Sequence, residues 1–250
     1  MSEHKLGVLG GMGPLATSVF FERLIHNTVA NKDQDHIDMI ILNHASLPDR
    51  TVAIIEGKEH AFLHTVKKDL EIFEMADVSN IVIPCNTSHY FYNEIQAMTK
   101  INIINMVENT IKYIAKKNES KSKVAILATD GTILSGVYEK ECKKYNIEPY
   151  NPKKETQEKI MNIIYQVKSD ADFETSELNE IIRDLIINEN CSSVILGCTE
   201  LSCVKLADDI ERFCVDPMDI LVEKAIILSG KIPISPRFNE IKIDRISTIK

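Results

Sequence analysis

Short, nearly continuous apolar runs recur along the chain between longer segments of helical spacing, and no other feature narrows the fold as far. The runs at Leu6 to Leu9, Met39 to Leu42, Ile81 to Ile83, Ile103 to Ile104, Val124 to Leu127 and Val194 to Leu196 lack polar alternation, as strands buried on both faces do. Between them, Phe62, Val66, Leu70 and Phe73, and later Leu178, Ile181, Ile182, Leu185 and Ile186, form the stripes of amphipathic helices. Strand and helix in alternation predict an α/β fold of mostly parallel sheets covered by helices. Reactive residues in such sheets stand beyond the carboxyl ends of the strands.

Those strand ends are echoed within the chain. The run Lys5-Leu6-Gly7-Val8-Leu9-Gly10-Gly11-Met12-Gly13 resembles Lys123-Val124-Ala125-Ile126-Leu127-Ala128-Thr129-Asp130-Gly131, 118 residues later. Ile81-Val82-Ile83-Pro84-Cys85-Asn86-Thr87 resembles Ser193-Val194-Ile195-Leu196-Gly197-Cys198-Thr199, with the cysteines 113 residues apart. Similar offsets predict two related α/β domains with a cleft between them: residues 1–112 plus 217–250, carrying Cys85, and residues 113–216, carrying Cys198. Buried strands also resemble one another by chance, but a shared Cys and Thr after both weighs against that. The join falls in the polar stretch Lys116 to Ser122, and a last helix, about Met218 to Leu228, is expected to return to the first half. The tail to Lys250, with Pro233 and Pro236, is left without a place.

Composition removes several function classes. The 250 residues are 44% hydrophobic and 26% charged, with a net charge of −8, which suits a soluble globular protein and opposes nucleic acid or an anionic membrane surface as partner. No apolar stretch approaches the roughly 18 residues of a membrane span. The first residues show no basic segment followed by a long apolar one, so a cytoplasmic location is expected. There the six cysteines, at 85, 142, 191, 198, 203 and 214, stay reduced. An anionic substrate would have to be captured by local cations.

The glycine-rich stretch Gly11-Met12-Gly13-Pro14-Leu15-Ala16 has the form of a dinucleotide fingerprint. Pro14, and Asn43-His44 where an acidic ribose ligand belongs, argue against that use. The glycines read better as a small loop whose backbone N–H groups face a small anion, with Pro14 opening the next helix. A tight turn without a ligand is the alternative.

The strand-end cysteines carry the strongest chemical signal. Cys85 precedes Asn86-Thr87-Ser88 and Cys198 precedes Thr199-Glu200-Leu201, each readable as a helix start, where the dipole would lower a thiol pKa. Asn86, Thr87 and Thr199 can offer hydrogen bonds to a carboxylate or a thiolate. If the two halves face each other, the thiols approach one cleft from opposite sides, which is what inversion at a carbon needs: one base removes a proton and one acid returns it on the other face. Cys142, Cys191, Cys203 and Cys214 read as small buried hydrophobes. A zinc site from Cys191, Cys198 and Cys203 lacks paired C-x-x-C spacing. His60 and His64 read as solvated or packed, while Cys85 with His89 could form a nucleophile–base dyad that leaves Cys198 idle. Arg50, in Pro48-Asp49-Arg50-Thr51, could clamp a carboxylate or pair with Asp49. Lys168 could serve likewise or simply close a helix.

With these residues assembled, the chain closely resembles the cofactor-independent aspartate/glutamate racemase family, and within it the aspartate racemases. The likeness rests on Gly7 to Thr17, Pro48-Asp49-Arg50-Thr51, Pro84-Cys85-Asn86-Thr87 and Gly197-Cys198-Thr199-Glu200. It implies two α/β domains around a cleft, Cys85 and Cys198 as opposed catalytic bases, and neither pyridoxal phosphate nor a metal. It implies that Asn86, Thr87 and Thr199 bind the α-amino and α-carboxylate groups, that Met12, Gly13 and Glu200 belong to the substrate site, and that Thr132 contacts a carboxylate. Arg50 and Lys168 match the positions where aspartate racemases hold the side-chain carboxylate. Glutamate racemases carry Asp-Ser in the first loop and Thr-His after the second cysteine, where this chain has Gly-Met and Thr199-Glu200. The expected activity is therefore interconversion of L- and D-aspartate, with some glutamate activity, by a homodimer acting on a small acidic amino acid. The competing readings are a racemase or isomerase of another small acid and a non-catalytic thiol redox or amino-acid-binding protein.

Overall fold

A computed structural model describes residues 4–117, 122–169 and 174–234. In chain order the elements are β1 (Leu6–Gly10), α1 (Pro14–Asn27), β2 (Met39–Asn43), α2 (Arg50–Ile55), α3 (Glu59–Met75), β3 (Asn80–Val82), α4 (Tyr92–Ala97), β4 (Asn102–Ile103), α5 (Met106–Lys117), β5 (Lys123–Leu127), α6 (Asp130–Ser135), α7 (Val137–Lys144), β6 (Glu148–Tyr150), α8 (Lys154–Ser169), α9 (Ser176–Ile187), β7 (Ser193–Leu196), α10 (Asp208–Glu211), β8 (Cys214–Val215) and α11 (Pro217–Leu228). Among the described residues no helix is long and apolar enough to cross a membrane.

The strands form two sheets of identical order, β2-β1-β3-β4 and β6-β5-β7-β8, and every pairing is parallel. Leu6 stands opposite Asn80 in the first sheet and Val124 opposite Ser193 in the second, so the echo in the sequence is an echo in register. The two strands that the apolar runs did not disclose are β6 and β8. Glu148-Pro149-Tyr150 contains a proline that only an edge strand tolerates, and Cys214-Val215 is too short to show a period.

Each sheet is covered on both faces. Leu6, Val8 and Val82 pack on Ala16, Phe20 and Leu24 of α1 and on Met218, Leu221 and Val222 of α11. Leu9, Ile81 and Ile83 pack on Phe62, Val66, Leu70 and Phe73 of α3. In the second sheet Ala125, Leu127, Val194 and Leu196 meet α8 and α9 through Ile160, Ile164, Leu178 and Ile182. Its other face, Val124, Ile126 and Ile195, meets Val107, Ile111 and Ile114 of α5 and Tyr138 and Cys142 of α7. The last helix thus returns to the first sheet, and α5, packed on the second sheet, also lies against α11. The C-terminal residues from 235 onward lie outside the described residues.

Caps place three helix starts, of which those of α2 and α6 border the cleft. Asp49 Oδ1 accepts the Val52 N–H at 2.9 Å before α2, Thr129 Oγ1 accepts the Thr132 N–H at 3.3 Å before α6, and Asp216 Oδ1 accepts the Met218 N–H at 2.9 Å before α11; each satisfies a helix donor that has no partner within its helix. Arg23 of α1 reaches Asp216 and Asp219 at 2.6 and 2.7 Å and also bonds the Ser202 carbonyl, tying the segment after Cys198 to the helix after the glycine loop.

Helices α2 and α6 meet across the cleft, where a Cβ on Gly131 would lie 2.8 Å from Thr51 Cα. That atom is backbone and cannot swing aside, so Gly131→Ala must push α2 from α6. The variant should lose about 1–3 kcal/mol of unfolding free energy in urea, the usual cost of overpacking; an unchanged midpoint would mean that this junction is slack.

Candidate active site

Cys85 and Cys198 follow β3 and β7, which hold the same place in the two sheets. Both thiols are buried, at 5% and 6% exposure, and both line one small chamber of about 20 Å³, room for about one water molecule. Met12, Asn86, Thr87 and Thr199, four of the residues nominated from sequence, share that lining, and so do Asp49, Thr51 and Thr129. Arg50, Lys168 and Glu200 line the chamber and, with Asp49, also a larger outer cavity of about 470 Å³. Gly13 faces the outer cavity only.

Thr132 takes a different position from the one expected. It is absent from the chamber lining; its Oγ1 lies 2.9 Å from Thr87 Oγ1 and 3.1 Å from Thr129 Oγ1, and Thr87 and Thr129 are 3.0 Å apart. These three buried hydroxyls satisfy one another across the cleft, with Thr132 behind the two that line the chamber.

The helix-dipole expectation does not hold at Cys198. Cys198 is followed by a single 3-10 turn, Leu201–Cys203, too short to carry much of a dipole, whereas the turn after Cys85, Thr87–Phe91, runs directly into α4. Burial, and after it the Glu200 carboxylate, push the Cys198 thiol well above its ordinary range. Cys198 Sγ donates to Glu200 Oε2 at 2.8 Å, so Cys198 stands as a protonated thiol. Glu200 is itself 3% exposed, and its other oxygen lies against Gly13 at the start of α1, a favourable place for an anion.

Two cations border the chamber. Arg50 Nη1 donates to the Pro48 carbonyl at 3.2 Å, while its buried Nε has no partner among the described residues. Burial pulls the Lys168 ammonium down, but its acidic neighbours, Glu200 first, outweigh it and leave the group raised above its ordinary value. Lys168 is therefore a cation at neutral pH, with Nζ 5.2 Å from the Tyr165 ring centroid.

The glycine loop is a tight turn. Gly11 adopts φ +89°, in contact with the His44 backbone, a conformation that favours glycine. Its N–H donates to Thr17 Oγ1 at 2.9 Å and so is not open to an anion. His44 in turn is held by Asp69 at 2.9 Å. The other four cysteines pack: burial pushes Cys142, Cys203 and Cys214 up to about 12 and raises Cys191.

His89 is used by the backbone rather than by Cys85 Sγ. Its Nε2 accepts the Met106 N–H at 3.0 Å, and Nδ1, which then carries the proton, donates to the Cys85 carbonyl at 2.9 Å. Both ring nitrogens are occupied, which removes the Cys85–His89 dyad. The ring instead fixes the strand end that bears Cys85 and the start of α5.

Comparison with known proteins places this geometry among relatives. A family model described as Asp/Glu/Hydantoin racemase matches residues 9–225. The chain is 30% identical over 206 residues to the broad specificity amino-acid racemase RacX of Bacillus subtilis, covering 80% of this chain and 86% of that protein. Among solved structures it is similar to the aspartate racemase of Picrophilus torridus, with a TM-score of 0.78 and 28% identity over 92% of this chain and 95% of that one. It also shares the fold of the glutamate racemase of Francisella tularensis, with a TM-score of 0.65 and 20% identity over 91% and 81% of the two chains.

Burial holds His89 down at about 4, from an ordinary 6.5. Between those values the unfolded chain binds the proton that the folded chain refuses, so stability is full above pH 6.5 and is lost as pH falls toward 4, by about 3 kcal/mol in all. Urea unfolding at pH 7.5 and pH 5 should therefore differ by about 2 kcal/mol more in the parent than in His89→Gln; equal slopes would show that His89 is not buried as a neutral ring.

Proposed function

Because the chain belongs to the Asp/Glu/Hydantoin racemase family, we propose that it interconverts L- and D-aspartate by proton transfer between the α-carbon and two thiols, Cys85 and Cys198. The observation that carries this reading is that equivalent strand ends of two like sheets bring one thiol each to the same chamber, with Arg50 and Lys168 at its outer side.

In the route we infer, one cysteine acts as a thiolate and takes the α-proton, leaving the C–H electron pair on the α-carbon, delocalised into the α-carboxylate. The opposed thiol then gives its proton to the other face, and the two sulfurs have exchanged protonation states. Cys198, held as a thiol beside Glu200, starts as the acid, and Cys85 is the base facing it. Asn86, Thr87 and Thr199 hold the α-carboxylate and α-amino groups, and Arg50 and Lys168 hold the side-chain carboxylate. These donors offset the negative charge that develops on the carbanion, in a site where water is nearly excluded. No step in this route calls for a cofactor. An amino acid is larger than the chamber, so entry parts the Thr87–Thr129 and Thr51–Gly131 contacts.

The cations favour an acidic substrate, as does the likeness to the aspartate racemase of Picrophilus torridus. A wider substrate range, glutamate first, is the second reading. It is supported by the outer cavity that continues past Arg50 and Lys168 and by the likeness to a racemase of broad specificity.

Incubation with L-aspartate in D₂O should yield D-aspartate deuterated at the α-carbon. If neither aspartate nor glutamate exchanges or inverts, the reading is wrong. Cys85→Ala and Cys198→Ala should each lower racemisation by at least about 10³-fold, within the range for lost acid–base groups; full activity in either variant would remove that thiol from the route. Arg50→Ala should lower kcat/KM for aspartate about 10- to 100-fold, the value of a charged hydrogen bond.

A further inference from the structure

Tyr138 lies outside the chamber lining, fully buried on α7 in the core of the second sheet. Its hydroxyl nevertheless reaches across to the first sheet and donates to Asn86 Oδ1 at 2.5 Å. Asn86 is 2% exposed and follows Cys85 directly. The far end of its amide, Nδ2, is buried with no hydrogen-bond partner among the described residues.

A primary amide has one end that accepts and one that donates two protons. In a buried position an unused donor is unfavourable, and a terminal amide rotates to avoid that when nothing restrains it. Here a phenol supplies the restraint. Burial pushes the Tyr138 phenol well above its ordinary range, so the group remains a neutral donor at working pH. Its proton engages the carbonyl end and leaves the amino end for the chamber that Asn86 lines.

We infer that Tyr138 is a positioning residue that acts through Asn86, orienting the amide so that Nδ2 donates to an anionic oxygen of the substrate. The inference rests on the racemase reading for the identity of that substrate, an acidic amino acid whose α-carboxylate lies beside Cys85. It assigns to a core tyrosine of one half a part in substrate binding at the strand end of the other.

The test is Tyr138→Phe, which removes the hydroxyl and keeps the ring in the core, measured with Asn86→Ala, the double variant and Asn86→Asp. KM and the calorimetric Kd for D-aspartate are read for each, with circular dichroism to confirm folding. Tyr138→Phe should raise KM and Kd about tenfold, the value of one lost hydrogen bond, and lower kcat by no more than Asn86→Ala does. Asn86→Ala should do at least as much, and adding Tyr138→Phe to it should do nothing more, because residues that act as one unit are non-additive. Asn86→Asp, which would present an acceptor to an anion, should bind more weakly than Asn86→Ala; this variant decides the matter should Tyr138→Phe fail to fold. Parent-like KM and Kd in Tyr138→Phe, effects that multiply in the double variant, or parent-like binding in Asn86→Asp would each overturn the inference. Failure of the racemase reading looks different: the parent would bind D-aspartate without turning it over, and the Kd ratios would still decide the role of Tyr138. A parent that neither bound nor inverted any acidic amino acid would overturn both.

Discussion

Parallel pairing governs this molecule. A parallel strand cannot return by a hairpin, so each hands the chain to a crossover that covers a sheet face, and β1, β5 and β7 are left with side chains buried on almost every position. Polar chemistry is then confined to the carboxyl ends. Two sheets with the same order, turned so that those ends meet, deliver Cys85 and Cys198 to one chamber, along with the helix starts capped by Asp49 and Thr129. The location of the site is a consequence of strand direction before it is a consequence of any one side chain.

The buried polar groups of the site divide into those that satisfy one another and those that do not. Thr87, Thr129 and Thr132 form a closed set of hydroxyls, Cys198 is committed to Glu200, and His89 is committed to two backbone groups. Asn86 Nδ2 and Arg50 Nε stand apart, buried and without a partner among the described residues. A buried donor without a partner costs about 1–3 kcal/mol, and in the proposed reaction the carboxylates of the substrate supply the missing acceptors.

Much of this was readable before any coordinates, and the reasons are particular. Long buried strands such as Val124 to Leu127 advertise themselves because both faces must be apolar, and a cysteine placed after two of them is hard to mistake. Asp49 and Thr129 could also have been found, since each immediately precedes a helix as a side-chain cap and so must face the cleft. Tyr138 could not. Its partner Asn86 lies 52 residues away on the other sheet, and an aromatic residue within a helix looks like any core residue. The expectation that a helix start would lower the pKa of Cys198 misread Thr199-Glu200-Leu201, because the spacing of polar residues does not distinguish a lone 3-10 turn from an α-helix. It also gave no weight to Glu200, whose carboxylate acts on Cys198 in the opposite direction.

Within the repeated architecture, the residue two places after each cysteine differs: Thr87 on one side and Glu200 on the other. Enantiomers have the same free energy in water, so a racemase must have equal kcat/KM in its two directions, however unlike its two walls are. The acid at Glu200 can therefore never make such an enzyme favour one product at equilibrium. It can only divide the same quotient differently, so that the enantiomer turned over faster is bound proportionally more weakly, and the handedness of the site shows in saturation behaviour alone.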